Sequence, residues 1–503
     1  MNRRAGVLLS YVLMAFEVLS TLLLTPFIIR TLGQAEYGVY KLAAAINGYL
    51  LLLDLGVGNA VTRYISKYRA TGDRAQERKF LGVATLYYLL IAVIVIIAGT
   101  VLVAVFPKAF AKGLSADEAA LGQKLLSITM FNSAITLGTA AYPNILIAYE
   151  RFVISRGVSI AQIIMRMLIT YAVLKMGMGS VGIVSVNLFM TLLCRGFFIG
   201  YAVFRIKLVP SFKRIELTFI KEIAAYSSWI LLQMIATMLN STVDQVLIGS
   251  LVASSAVILA VYGVGTQIVQ YFQSIGSAFT GVLMPGVVRM VENKASPAEL
   301  TNEMIRVGRI IFMVLGLIWG GFLVCGREFV ILWAGEDNEK AHIVAIILMT
   351  AYLFTLTEAI GTQILWARNE HKEQAVMKIV VVVLNIFLTA ALIKWNPLIG
   401  ATIGTFISLM AGDVGVMNII FAKKLKLDLV HYYRGIMKGI VPCIALSIAA
   451  GVCMTCLIKG GWFALIAHIS VMCMVYAVTM LLFGMNQYEK NLCSAMINKL
   501  IKR

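Results

Sequence analysis

EVLSTLLLTPFIIRTLGQAEYGVYKLAAAINGYLLLLDLGVGNAVTR, running from Glu17 to Arg63, decides what kind of molecule this is. Two long apolar runs flank a short polar joint, RTLGQAEYG (Arg30 to Gly38), and Pro26 interrupts the first run near its end. A helix needs about 20 mainly apolar residues to cross a bilayer, and each run supplies them. Glu17, Lys41 and Asp54 nevertheless lie inside these runs. A charge at mid-membrane costs from about 3 kcal/mol to ten or more, depending on the reference state. Three of them in the first two spans predict an interior that such groups can face.

The rest of the chain has the same character. Of its 503 residues 60% are hydrophobic and 13% charged, and the mean hydropathy is +0.89. Soluble domains carry about 25% charged residues, so the composition predicts an all-α polytopic membrane protein with no soluble domain of its own. The net charge of +19 would suggest nucleic acid in a soluble protein. Here the cations cluster between apolar segments, where they set topology and meet anionic headgroups, so no nucleic-acid partner is expected. Arg3 and Arg4 precede the first apolar run with no small-residue cleavage site after it, which reads as a retained signal anchor. Seven cysteines, nearly all in apolar runs, give no disulfide framework and no metal site.

Fourteen candidate spans follow: 7–29, 38–62, 80–106, 121–149, 153–174, 180–204, 222–249, 254–284, 308–333, 341–367, 375–394, 398–422, 436–458 and 462–484. Charge tests that count. With charges near span ends counted with the adjoining loops, the termini and alternate loops on their side hold 31 of the 43 Lys and Arg, the opposite loops hold 9, and Lys41, Arg166 and Arg195 remain inside spans. The positive-inside rule then places both termini in the cytoplasm. A weak repeat also runs through the chain. ILIAYERF (Ile145 to Phe152) resembles ILWARNEH (Ile364 to His371) at an offset of 219. Six spans is an even number, so the repeat is parallel. The expected layout is two six-helix lobes, residues 1–210 and 211–427, followed by two further helices and a tail over 428–503.

No nucleotide-binding P-loop, H-E-x-x-H or G-x-S-x-G motif occurs, and no loop is large enough for a catalytic domain, so the chain does not read as an enzyme. The informative residues are the interior charges. The first six spans carry Glu17, Lys41, Asp54, Arg166 and Arg195; the second six carry Asp244, Glu358 and Asp413, with no interior Lys or Arg. Arg195 falls opposite Asp413 under the repeat offset. Lys41, Arg30 and Asp413 lie near span ends and suit helix-to-helix salt bridges or snorkelling. Glu17, Arg166 and Arg195 lie near mid-span and suit a water-filled cavity. Guanidinium groups grip phosphate oxygens, and carboxylates in low dielectric take up H⁺ or hold Na⁺. That combination suits ion-coupled transport of an anion, with no other cofactor. Four prolines (Pro26, Pro143, Pro285 and Pro442) lie in or near span ends, and Pro26 is a candidate hinge.

At TPFIIRTLGQAEYGVYKLAAAINGYLLLLDLGVGNAVTRYISKY (Thr25 to Tyr68) the sequence resembles the Wzx-type polysaccharide flippases of O-antigen and capsule export. The carriers are R-x-L-G-x-x-E-Y-G-x-Y, an aspartate before a Gly-rich stretch, and a basic segment. STVDQVLIGSL (Ser241 to Leu251) is similar to that family's aspartate and L-I-G motif. The resemblance implies a two-lobed fold shared with multidrug exporters and lipid II flippases, working by alternating access in the bacterial cytoplasmic membrane. It implies an undecaprenyl-pyrophosphate-linked oligosaccharide as substrate, with membrane lipids and polysaccharide polymerase machinery as partners. By that reading Arg30, Lys41, Arg63, Arg166 and Arg195 meet pyrophosphate or anionic sugar, and Glu17, Asp54, Asp244 and Glu358 serve ion coupling or gating. A multidrug exporter or peptidoglycan-precursor flippase is the alternative; organic cations would prefer an acidic cavity, against which the interior cations argue.

Overall fold

The computed structural model describes residues 3–54, 57–212, 235–368, 370–458, 460–491 and 494. The predicted span 222–249 lies outside them up to residue 234. Every regular element among the described residues is helical. Eleven of these helices are long and apolar enough to cross a membrane. In chain order the elements are α1 (Arg3–Leu51), α2 (Val57–Thr71), α3 (Arg74–Ala109), α4 (Ala116–Gly138), α5 (Ala141–Ala148), α6 (Phe152–Lys175), α7 (Gly179–Gly200) and α8 (235–251). Then come α9 (Ala256–Glu292), α10 (Pro297–Ala334), α11 (Ala341–Thr357), α12 (Ala359–Ala367), α13 (His371–Leu392), α14 (Pro397–Leu409), α15 (Met417–Ile420), α16 (Leu429–Met437), α17 (Ile440–Leu457) and α18 (Gly461–Thr479). The chain divides into two compact units, Met1–Ala260 and Val261–Arg503.

The first two predicted spans are the two arms of one kinked helix. The expected joint narrows to Gly33, at φ 75° and ψ 173°. Only glycine visits that region readily. Pro26 leaves no such break, so the bend in α1 is at the glycine and not at the expected proline hinge. The E-Y-G of the joint then has three packing tasks. A Glu36 carboxylate oxygen accepts a hydrogen bond from the Ser180 backbone N–H at 2.6 Å, capping the start of α7; those N–H groups have no partner within their own helix. Tyr37 is buried. Gly38 lies against α9, where a Cβ would sit 1.8 Å from the Ala256 carbonyl oxygen. Backbone cannot yield as a flexible side chain can, so Gly38→Ala is expected to cost ~2–3 kcal/mol. A lowered thermal midpoint of the purified protein is the readout; an unchanged midpoint refutes the close approach.

The basic loop expected at 63–79 is helical. α2 buries Val57, Val61 and Ile65, spaced one turn apart, and exposes Arg63 and Lys67. Asp73 caps α3 by accepting from the Gln76 N–H at 3.0 Å. The predicted span 121–149 is broken at Thr139–Ala140. Pro143 explains this, because its ring clashes with the carbonyl four residues back, which is that of Thr139. The span 341–367 breaks likewise at Glu358. Helix starts recur at a spacing of 219 residues, from Phe152 of α6 to His371 of α13. Both α7 and α14 run on into π-helical turns, Tyr201–Arg205 and Met410–Val416. Two lysines 219 residues apart, Lys207 and Lys426, share a left-handed backbone with φ of 58° and 55°.

In the second unit, Gly316 and Gly320 let α10 approach α17 closely, with Ile444 filling the space a Cβ would take. Arg309, which charge counting assigned to a loop, is inside α10 and buried. Its Nε donates to Glu489 Oε1 at 2.6 Å and its Nη2 to Oε2 at 3.1 Å. The other donors reach the carbonyls of Gly435, Lys438 and Gly484, each at 2.8 Å. All five guanidinium N–H groups are used.

Candidate functional site

The outer arm of α1, from Gln34 to Leu51, gathers the polar interior of the first unit. Tyr37 and Lys41 are one turn apart, and the Lys41 ammonium lies 5.6 Å from the Tyr37 ring centroid, within cation–π range. Tyr40 lies within electrostatic reach of Arg166 of α6. Asn47 accepts from Ser133 of α4 at 2.9 Å. Tyr49 lies beside Thr242 of α8 and close to Asp244, itself 1% exposed. One helical arm therefore collects groups from α4, α6 and α8, because polar residues at 37, 40, 41, 47 and 49 interrupt an otherwise apolar run.

Just past the end of that arm, Asp54 closes a short turn, Leu52–Asp54. The Tyr88 hydroxyl of α3 lies within electrostatic reach of it. Arg195 of α7 lies within electrostatic reach of both Asp54 and Tyr88. Asp54 and Arg195 are half-buried. The mid-span arginine and the aspartate before the Gly-rich stretch, 141 residues apart in sequence, thus come within electrostatic reach of one another and of Tyr88. In low dielectric this arrangement offsets much of the cost of holding either charge alone.

The remaining candidates separate from this group. Glu17 and Arg30 are exposed on α1, and Arg63 is exposed on α2. Glu358 belongs to the second unit. It is 2% exposed, and its Oε1 accepts from Asn418 at 3.1 Å and from the Tyr433 hydroxyl. Among the described residues its Oε2 has no hydrogen-bond partner. Asp413, beside it, pairs with Lys378 at 2.5 Å. The expectation that the second six spans hold no interior cation is thus corrected by Lys378 and Arg309. Lys378, in the first turn of the predicted span 375–394, counts with the loop before it, but α13 begins at His371 and carries it inward. Arg195 and Asp413 each find a counter-charge within their own unit.

Sequence reading missed Glu36, Tyr40, Tyr49, Tyr88, Lys378, Asn418 and Tyr433. Their signal was present as polar residues within apolar runs. Tyrosine escaped because it is unremarkable in a hydrophobic helix until a partner is found for its hydroxyl.

A family profile described as polysaccharide biosynthesis protein matches residues 5–291, more than half of the chain. The chain belongs to that family. Among solved structures, the chain is similar to a lipid II flippase MurJ in an inward closed conformation. The TM-score is 0.72 at 13% identity, covering 94% of this chain and 97% of that one. It is also similar to an inward-facing multidrug resistance MATE family transporter of the MOP superfamily, with a TM-score of 0.62 at 13% identity over 80% of this chain and 96% of that one. At such identities the likeness establishes the fold, a multi-pass membrane fold shared with both. No curated protein sequence matches the chain.

Proposed function

We propose that this protein is a flippase that carries an undecaprenyl-pyrophosphate-linked oligosaccharide from the cytoplasmic to the outer leaflet for cell-surface polysaccharide export. The observation that carries this reading is the set of cations held by α1, α6 and α7 of the first unit, Lys41, Arg166 and Arg195, in a member of the polysaccharide biosynthesis family. A pyrophosphate headgroup is the part of such a substrate that most resists entering an apolar bundle, and guanidinium groups are suited to meet it. The reading includes residence in the bacterial cytoplasmic membrane with both termini cytoplasmic, and alternating access between six-helix lobes over 1–210 and 211–427. The 219-residue spacing of helix starts and of Lys207 and Lys426 supports that repeat. Coupling to H⁺ or Na⁺ falls to the carboxylates. Asp54 exchanges partners with Arg195, Asp244 sits beside Tyr49, and Glu358 keeps one buried oxygen for an incoming cation. The extruded product passes to polysaccharide polymerase machinery.

Deletion of the gene is expected to build up lipid-linked oligosaccharide in the cytoplasmic leaflet, scored on extracted lipids by leaflet-selective labelling. Wild-type protein should clear it, and Arg166→Ala, inserted at wild-type level, should leave at least ~90% behind. Absence of build-up, with altered sensitivity to cationic dyes instead, would replace this reading with drug export.

A further inference from the structure

Away from the interior group, one end of the first unit presents a second concentration of positive charge. α2, the start of α3, α5 and the end of α7 are welded there by a shared core that includes Val61, Ile65, Phe80, Leu81, Ile145 and Leu208. The rim of that core carries Arg63, Lys67, Arg69, Arg74, Arg78 and Arg151, all exposed. Two of them are arranged. The guanidinium groups of Arg69 and Arg74 both lie on the ring of Tyr149, 4.9 and 5.8 Å from its centroid. Arg69 Nη1 donates to the Ala148 carbonyl at 3.0 Å. Arg74 Nη1 donates to the Tyr149 hydroxyl oxygen at 2.8 Å and lies 3.4 Å from Glu77. Tyr149 in turn donates its hydroxyl to Glu77, which is 1% exposed. Burial and the Glu77 hydrogen bond push the Tyr149 hydroxyl above its ordinary pKa, so it remains a donor to that carboxylate. Among the described residues both arginines bond the protein through Nη1 alone, which leaves the Nε and Nη2 edge of each fork outward. Such an edge binds two phosphate oxygens at once.

The apolar half of a ligand site begins directly beyond. Arg78, Leu86, Leu89 and Val93 share one face of α3 by helical spacing. The three apolar members are 37%, 50% and 52% exposed. A phosphate-binding rim thus continues into an open apolar stripe.

We propose that this end of the first unit is a binding site for an anionic phospholipid of the surrounding bilayer. Its phosphate is held by Arg69 and Arg74 over Tyr149, and its acyl chain lies along α3. A bilayer lipid fits better than the transported molecule because the stripe is on an exposed face of the helix. Basic clusters at the membrane surface each add to such binding, and the fixed pair gives it a place.

Native mass spectrometry of the full-length protein in detergent tests this, with phosphatidylglycerol and phosphatidylcholine of matched acyl chains as probes. R69Q/R74Q is expected to weaken phosphatidylglycerol binding at least tenfold and to leave phosphatidylcholine unaffected. K423Q/K426Q, which removes equal charge from exposed positions of the second unit, should change neither. Undiminished phosphatidylglycerol binding in R69Q/R74Q, or equal wild-type affinity for the two lipids, or an equal loss in K423Q/K426Q, overturns the proposal. So does stoichiometric displacement of phosphatidylglycerol by undecaprenyl pyrophosphate, which would assign the site to substrate. If R69Q/R74Q does not fold, R69K/R74K keeps the charge and removes the forks. Its phosphatidylglycerol binding should then fall at least threefold, and wild-type binding in it would sink the idea.

Discussion

Arg309→Ala is expected to be the most destabilising single change in the chain, lowering the thermal midpoint of the purified protein by about 10 °C. Arg309 is where the last two helices are fastened to the rest of the second unit. Its five donors reach the α16–α17 junction at Gly435 and Lys438, and beyond α18 they reach Gly484 and Glu489. Alanine leaves the Glu489 carboxylate, 4% exposed, without its counter-charge and three carbonyls without that donor. Removing one partner of a buried pair costs about 3–5 kcal/mol, and a unit of this size loses roughly 2–4 °C per kcal/mol. Arg309→Lys keeps the charge but has three donors on one nitrogen, so it should recover less than half of the loss. Neighbouring contacts limit the damage to partial detachment, because the Tyr476 hydroxyl still donates to the Met313 carbonyl at 2.9 Å and Arg306 still stacks on Tyr488 at 3.9 Å. A midpoint in Arg309→Ala within 2 °C of wild type would show that the five bonds add little over hydration.

The second large effect concerns transport. Asp54→Asn and Arg195→Gln, made singly, are each expected to cut surface polysaccharide to below a tenth of wild type. Either change leaves the other charge half-buried beside Tyr88 without that counter-charge. A double variant removes both charges. If the two groups act as a pair, folded yield in the double should exceed the sum of the single losses by about 1–3 kcal/mol of coupling, while transport stays low. Strictly additive losses in folded yield would dissolve the pair. Transport restored in the double would mean that the charges serve only packing.

Much of the architecture was legible because it depends on properties that a linear sequence displays. Apolar length fixes helices, and the joint after Arg30 contains the glycine at which α1 bends. The interior location of Asp54, Arg166 and Arg195 followed from their apolar surroundings. Partners were not legible. Arg195 finds Asp54 across 141 residues, and nothing local encodes that meeting. Lys378 and Arg309 were misplaced for a simpler reason. Counting the charges in a span's first turn with the adjoining loop puts both outside the membrane, whereas α10 and α13 begin earlier, at Pro297 and His371, and carry them to counter-charges on a neighbour, Glu489 and Asp413. The break at Glu358 has no proline to announce it, in contrast to the break ahead of Pro143.

Gly33 carries a consequence for how this chain tolerates genetic change. A Cβ placed there would meet nothing within 4 Å, so by volume the site should accept almost any residue. Its backbone, at φ 75° and ψ 173°, accepts almost none without ~1–3 kcal/mol of strain. Every missense change in a glycine codon adds a side chain, so mutational tolerance at position 33 is set by torsion alone. In a saturation library the site should therefore be scored as intolerant with no preference among replacements by size or polarity, the opposite of the size-graded pattern of a packed position such as Gly38.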